Sequence, residues 1–410
     1  MSANRVYFKN LNGVRFLAAL VVIIHHIEMG KYWFGQPNIY RNSFVGGVFG
    51  QLGIILFFVL SGFLITYLLL EEHKRSQTIS IKSFYMRRVL RIWPVYYLIV
   101  ILSLFVFPKF DFFYVPGFTE HINDSFWVKT ALYLSFLPNL GYTLYEHVSY
   151  ATQTWSVGVE EQFYLIWPVL MLWAINKKKI MTVLLGVIAV YLIAKTGTIL
   201  LHDADRSIKA NERLWLFVDH FSIDCMAIGG IGAYLLYFKK EKVLKLLFNK
   251  YLQVALYILL AIITVKGWVL PWYNKEWFAL IFMVLILNLA GNKQSIINLE
   301  YKLVNYLGKI SYGLYMYHNL VLIVVLKLLM MNNVADMGTV SGNVIYYALS
   351  LGITVILSAV SYEYFEKWFL NIKTRFTKVK SGAPEVEASE APVSEEKSSH
   401  IPLSTSPQVA

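Results

Sequence analysis

The sequence predicts an all-α fold: a polytopic membrane helical bundle of about ten transmembrane helices, with both termini cytoplasmic. Three observations carry that prediction. Of 410 residues, 57% are apolar and only 15% charged, whereas a soluble chain carries about a quarter charged residues. The apolar residues fall into runs long enough to cross a bilayer, at roughly 11–29, 48–71, 90–107, 155–175, 180–201, 217–237, 251–269, 276–292, 309–331 and 343–365. The segments between alternate runs hold most of the lysine and arginine, the bias that orients membrane proteins.

With the N-terminus inside, the inner loops collect Lys74, Arg75, Lys82, Arg87, Arg88 and Arg91, then Lys177 to Lys179, then Lys239, Lys240, Lys242, Lys245 and Lys250. Lysines 293, 302 and 309 and the basic residues after 366 follow on the same side, while the outer loops hold far fewer. The net charge of +12 therefore reads as topology and not as a nucleic-acid surface. The lone Cys225 excludes a disulfide framework and a cysteine metal site, and no metal is expected. The first run follows about ten polar residues without a small-residue cleavage site, so an uncleaved span is expected.

Residues 1–370 are read as one transmembrane domain and 371–410 as a cytoplasmic polar tail, rich in Ser, Pro and Glu and disordered from about 381. The long outer segment 108–154 is aromatic and punctuated by Pro and Gly; within it, 126–137 is too short to span. No fixed-period repeat and no nucleotide-binding loop stand out.

The chemistry lies in four stretches. In the first span, LNGVRFLAALVVIIHHIEMG at 11–30, Arg15 and His26 are eleven residues apart. They differ by about 20° around a helix, so they share a face, about 16 Å apart along the axis. His25 points about 80° away from Arg15. A snorkelling arginine and a packed histidine are the plain alternative. In FYMRRVLRIWPVYYL, 84–98, Arg88 and Arg91 share a face and Arg87 adds a third guanidinium. Such forks suit phosphate oxygens, and they also suit an ordinary positive-inside anchor.

In TWSVGVEEQFYLIWP, 154–168, Glu160 and Glu161 stand about one turn inside a span, where a carboxylate needs a partner or water. Glu160 and His26 both fall in the outer half, so an acid and an imidazole are expected at similar depth. In ISYGLYMYHNL, 310–320, Ser311, Tyr315 and His318 form a polar stripe that either lines a cavity or bonds a neighbouring helix. His220 and Asp224, at i and i+4, form another candidate interior pair. Glu363 and Glu366 are read as a solvated helix end, and the glycines at 61–65 and 228–233 as sites of close helix approach.

These stretches resemble the acyltransferase 3 family of integral-membrane O-acyltransferases. Arg15 and His26 match the family's Arg–His spacing in its first helix, and 57–65, FFVLSGFLI, matches its second span. Arg88, Arg91, Ile92 and Pro94 match its Arg-x-x-Arg and Ile-x-Pro pattern. Residues 155–165, including Trp155, Glu160, Glu161 and Tyr164, match its WS-x-x-VE-x-x-FYL stretch, and 311–318 match its Ser-Tyr-to-His stretch. The resemblance covers the chain to about residue 370. Many relatives carry an additional soluble hydrolase-like domain; with only a polar tail here, a second acyl-handling step is expected to need another protein.

The resemblance implies an O-acetyltransferase using cytoplasmic acetyl-CoA or another acyl-CoA as donor substrate, with no permanently bound cofactor. The implied acceptor is a hydroxyl on a cell-surface or lipid-linked carbohydrate, and the implied location is the plasma membrane. On that reading His26 and Glu160 are catalytic, with Glu160 orienting His26, and Arg15, Arg87, Arg88 and Arg91 hold the donor. Trp155, Glu161, Tyr164, Asp224, Ser311, Tyr315 and His318 line the cavity. The competing class is a secondary transporter or flippase for a glycan or lipid, in which the buried charges form a substrate or proton path. The acyl group, the acceptor and the oligomeric state are not readable from the sequence.

Overall fold

The computed structural model describes residues 5–41, 43–268 and 270–381, and the chain is helical nearly throughout them. The expected disordered tail lies almost wholly outside the described residues. The first three long helices are α1 (Leu11–Trp33), α2 (Gly50–Ser76, entered through a π-helical turn at Val45–Phe49) and α3 (Ile81–Ile101). The segment after α3 holds only short helices, among them α4 (Phe126–Leu134) and α5 (Pro138–Leu144), neither long enough to cross a bilayer. Helices α6 (Thr154–Asn176), α7 (Ile180–Ala204), α8 (Lys209–Phe221) and α9 (Ile223–Tyr237) follow. Then come α10 (Glu241–Leu247), α11 (Lys250–Lys266), α12 (Asn274–Gly291), α13 (Lys302–Lys309) and α14 (Ser311–Met331). The last are α15 (Val340–Ser361), a π-helical turn at Tyr362–Glu366, and α16 (Lys367–Lys373). Two-residue strands β1 (Arg5–Val6) and β2 (Lys380–Ser381) pair in parallel, so the two ends of the described chain lie side by side.

Among the described residues, eight helical runs are long and apolar enough to cross a membrane, and nine if α10 and α11, bent by 52°, count as one. The protein is thus a multi-pass membrane protein. Helix α6 is 23 residues long but falls outside that set. The reason is chemical: Glu160, Glu161 and Gln162 lower the apolarity of its first half.

Helix α1 is the axis of the bundle, packed against α2, α13 and α14. Small residues let it be approached closely. A Cβ added at Gly53 of α2 would lie 2.7 Å from the Ala18 carbonyl oxygen, and one at Gly308 of α13 would lie 2.0 Å from that of Asn12. The expected close approach of the glycine-bearing stretches is present between α2 and α9. A Cβ at Gly62 would meet the Met226 carbonyl oxygen at 1.9 Å, and one at Gly229 would meet that of Val59 at 2.0 Å. Gly229→Leu should therefore lower stability by about 3 kcal/mol or more, because backbone cannot yield as a side chain can. Thermal unfolding in detergent checks this. Gly186→Ala, whose Cβ meets nothing within 4 Å, should leave the midpoint unchanged or raise it.

Candidate active site

Helix α1 carries both ends of the site. His26 is half-buried, and its Nδ1 lies 2.9 Å from the Val22 carbonyl oxygen. A carbonyl only accepts, so the neutral ring carries its proton on Nδ1 and keeps a free lone pair on Nε2. The neighbouring His25 ring stands edge-on to His26 at 5.1 Å between centroids, has Nδ1 2.8 Å from the Val45 carbonyl oxygen, and packs on the Tyr40 ring.

The partner of His26 comes from α14. The His318 ring stands edge-on to His26 at 4.8 Å between centroids. His318 is 0% exposed; its Nδ1 lies 2.6 Å from the Tyr315 carbonyl oxygen, and its Nε2 has no hydrogen-bond partner among the described residues. Three imidazoles, His25, His26 and His318, thus sit together, each with Nδ1 held by a backbone carbonyl. Tyr315 extends the group to α6, its hydroxyl 2.5 Å from that of Ser156. Gln153 pins the two helices together: it donates to the Met316 carbonyl at 2.7 Å and accepts from Asn319 at 2.7 Å. The polar stripe of α14 therefore does one of the two things expected of it, bonding a neighbouring helix. Tyr315 bonds a neighbouring helix, and His318 faces His26. Ser311, also buried, lies two turns away on the same helix.

At the other end, Arg15 is held by Asn12 at 2.8 Å and lies in electrostatic reach of Arg88, Arg91, Tyr164 and Glu160. The Arg88 guanidinium lies over the Tyr164 ring at 5.5 Å and the Phe84 ring at 5.7 Å, and its buried Nε has no acceptor among the described residues. Beside Arg91, Tyr312 of α14 donates to the Ile92 carbonyl at 2.7 Å and ties the two helices together.

Three expectations are corrected here. Glu160 does not orient His26. Its carboxylate turns along its own helix to accept from Tyr164, at i+4 and 3.0 Å, and Tyr164 in turn meets the Ser61 hydroxyl at 2.5 Å. This puts Glu160 at the arginine end; the α6 residue at the histidine end is Ser156, one turn earlier. Arg87 is not a free fork: it pairs with buried Glu72 at 3.0 Å and donates to the Phe376 carbonyl at 2.8 Å. Glu366 is not a solvated end: it is 4% exposed, because the π-helical turn rotates it inward, and its Oε1 lacks a partner. Glu363, by contrast, pairs with Lys367 at the surface.

Two further candidate residues, Trp155 and Asp224, have their partners away from both the arginines and His26. Trp155 joins an aromatic group with Tyr142 and His220, its ring 4.8 Å from the His220 ring. His220 and Asp224 do not pair, because Ser222, at φ 33°, breaks the helix between them. Asp224, 0% exposed, has both carboxylate oxygens without a partner among the described residues and lies in electrostatic reach of Glu276 and Lys195. Lys195 is itself 0% exposed and pairs with Glu276 at 2.7 Å and Asp219 at 3.1 Å, while Lys275 reaches Asp219 at 2.6 Å. Glu161 accepts from Trp93 at 3.1 Å. Glu28, also in the first span, is buried in an ion pair with Lys31 at 2.6 Å and accepts from Tyr347 at 2.7 Å. Lys195→Met should lower stability by about 3 kcal/mol, since it strands buried carboxylates, and Glu276→Leu added to it should restore part of the loss. Unfolding midpoints of the two variants check the order.

The fold defines a multi-pass membrane protein, with arginines and imidazoles clustered between its helices. A family profile described as an acyltransferase domain matches residues 8–363, and the chain belongs to that family, acyltransferase 3. The O-acetyltransferase OatA of Staphylococcus aureus is 26% identical over 373 residues, covering 88% of this chain and 57% of the relative. The peptidoglycan O-acetyltransferase OatA of Listeria monocytogenes is 28% identical over 196 residues, covering 45% of this chain and 28% of the relative. The chain thus spans little more than half the length of the curated relatives it matches, or less. No solved structure matches.

Proposed function

We propose that this chain is an O-acetyltransferase of the plasma membrane that moves an acetyl group from cytoplasmic acetyl-CoA to a hydroxyl of a cell-surface or lipid-linked carbohydrate, with both termini cytoplasmic. The observation that carries this reading is the polarity of the site along α1. Arginines gather at one end, and three imidazoles with defined tautomers stand at the other, about 16 Å away. Acyl-CoA has the matching polarity, with phosphates at one end and a thioester at the other, and the OatA relatives are named O-acetyltransferases.

In this mechanism Arg88, Arg91 and Arg15 bind the donor's phosphates. His26 Nε2 takes the proton of the acceptor hydroxyl, whose oxygen attacks the thioester carbonyl. The carbon–sulfur bond breaks, CoA leaves as a thiolate that takes up a proton, and the ester stays on the acceptor. Glu160 and Tyr164 position the arginine end, and His318 packs against the base. Ser156 and Tyr315 place hydroxyls beside the reacting end.

The test is direct. Membranes holding the protein receive acetyl-labelled acetyl-CoA, and label is counted in the surface-glycan fraction. Label above that of membranes without the protein supports the reading. No label with acetyl-CoA, together with altered glycan export, would favour the transporter or flippase instead.

A further inference from the structure

The arginine end holds a cation that the mechanism above does not use. After α15 the chain passes the π-helical turn, forms α16, and makes a 3₁₀ turn at Thr374–Phe376. This segment packs back against α3 and is tied to it by the bond from Arg87 to the Phe376 carbonyl, at 2.8 Å. Lys373, the last residue of α16, stands three residues before Phe376, about one turn away. It lies in electrostatic reach of Arg91, Arg88, Arg15 and Arg87. Among the described residues the Lys373 ammonium has neither a hydrogen bond nor an ion pair, while its backbone carbonyl accepts from Thr377 at 3.1 Å.

The charges do not balance within the protein. Glu72 is committed to Arg87 and to the Ser80 amide, 2.9 Å away. Glu366 lies in electrostatic reach of Arg91, Glu160 in that of Arg88 and Arg15, and Glu161 in that of Arg88. Among the described residues Arg15, Arg88, Arg91 and Lys373 therefore outnumber the carboxylates Glu160, Glu161 and Glu366 by one. Like charges brought together out of bulk water repel strongly. A gathering of this kind is expected where the missing anion is a ligand.

We propose that Lys373 is a further arm of the donor site and holds the ribose 3′-phosphate of acyl-CoA, so that α16 forms the outer rim of that site. The inference rests on the acyl-CoA reading above. The order of groups along the donor supports the assignment. With the thioester at His26, the pantetheine arm and the diphosphate come next, and the diphosphate meets the arginine forks of α3. The phosphomonoester comes last, and α16 is the element beyond the last long helix. The chemistry agrees, because a lysine is a compact point charge suited to a doubly charged monoester, whereas Arg forks suit paired oxygens.

The test compares acetyl-CoA with 3′-dephospho-acetyl-CoA in wild type, Lys373→Gln, Lys373→Arg and the exposed control Lys378→Gln, at matched protein level and unfolding midpoint. Lys373→Gln should raise KM for acetyl-CoA about tenfold, the effect of one lost charge-assisted hydrogen bond. It should leave KM for the dephospho donor unchanged, and Lys373→Arg should recover most of the affinity. An equal rise in KM for both donors would overturn the assignment, since Lys373 would then act on another part of the donor or on structure. An unchanged KM for both would overturn it too. Wild type that transfers from neither donor would instead overturn the acyl-CoA reading, and this inference with it.

Discussion

His26→Ala should cut acetyl transfer by roughly a hundred- to ten-thousand-fold, the usual range for loss of a general base, while the protein stays folded. Two features of the ring lead to this expectation. It is half-buried, so it is reachable by a substrate, and its Nδ1 is committed to the Val22 carbonyl. The free nitrogen is thus always the same one, and no proton has to move before the reaction starts. His25→Ala is the discriminating control. Its ring holds the Val45 carbonyl and packs where a Cβ on Gly50 would lie 2.8 Å from Nε2. Removing it should lower the unfolding midpoint more than the transfer rate. The measurement is initial transfer rate in membranes with matched protein levels. Full activity in His26→Ala would move the base elsewhere, and His318, with its unpartnered Nε2, would be the first candidate.

Much of this site was legible because helices repeat. Arg15 and His26 share a face by arithmetic alone, and Arg88 and Arg91 lie on one turn of α3 although Pro94 follows inside the same helix. The apolar runs located the long helices for the same reason, and the glycines at 62 and 229 gave the tight α2–α9 contact. Spacing failed where partners depended on tertiary choice. Glu160 had two possible directions, toward His26 on another helix or along its own helix to Tyr164, and the i+4 hydroxyl was the nearer donor. Ser156 was missed although it lies at i−4 from Glu160, inside the stretch already marked. His220 and Asp224 looked like an i, i+4 pair only if the helix ran through Ser222, a left-handed residue that no glycine or proline announced. Glu366 looked solvated because a π-helical turn, which shifts the facing of every later side chain, leaves little trace in sequence. Lys195 was hidden by its surroundings: a lone lysine within 25 helical residues reads as a snorkelling side chain until Asp219 and Glu276 arrive from two other helices.

Arg88→Lys with Arg91→Lys should raise KM for acetyl-CoA by about tenfold or more, and lower kcat less. The exchange keeps charge, so topology should be preserved under the positive-inside rule. What it removes is the planar fork, the feature that separates phosphate binding from simple anchoring. The structure sharpens this test, because it divides the three neighbouring arginines by what they already hold. Arg87 is occupied by Glu72 and the Phe376 carbonyl, so Arg87→Lys should lower the unfolding midpoint with little effect on KM. Arg88 offers a buried Nε without an acceptor and a guanidinium resting on Tyr164. That aromatic contact restrains the fork before the donor arrives, so less conformational freedom is lost on binding. KM should therefore respond to Arg88 and Arg91 and not to Arg87. An equal response from all three would reduce the cluster to an orientation signal, and the donor phosphates would have to be held elsewhere.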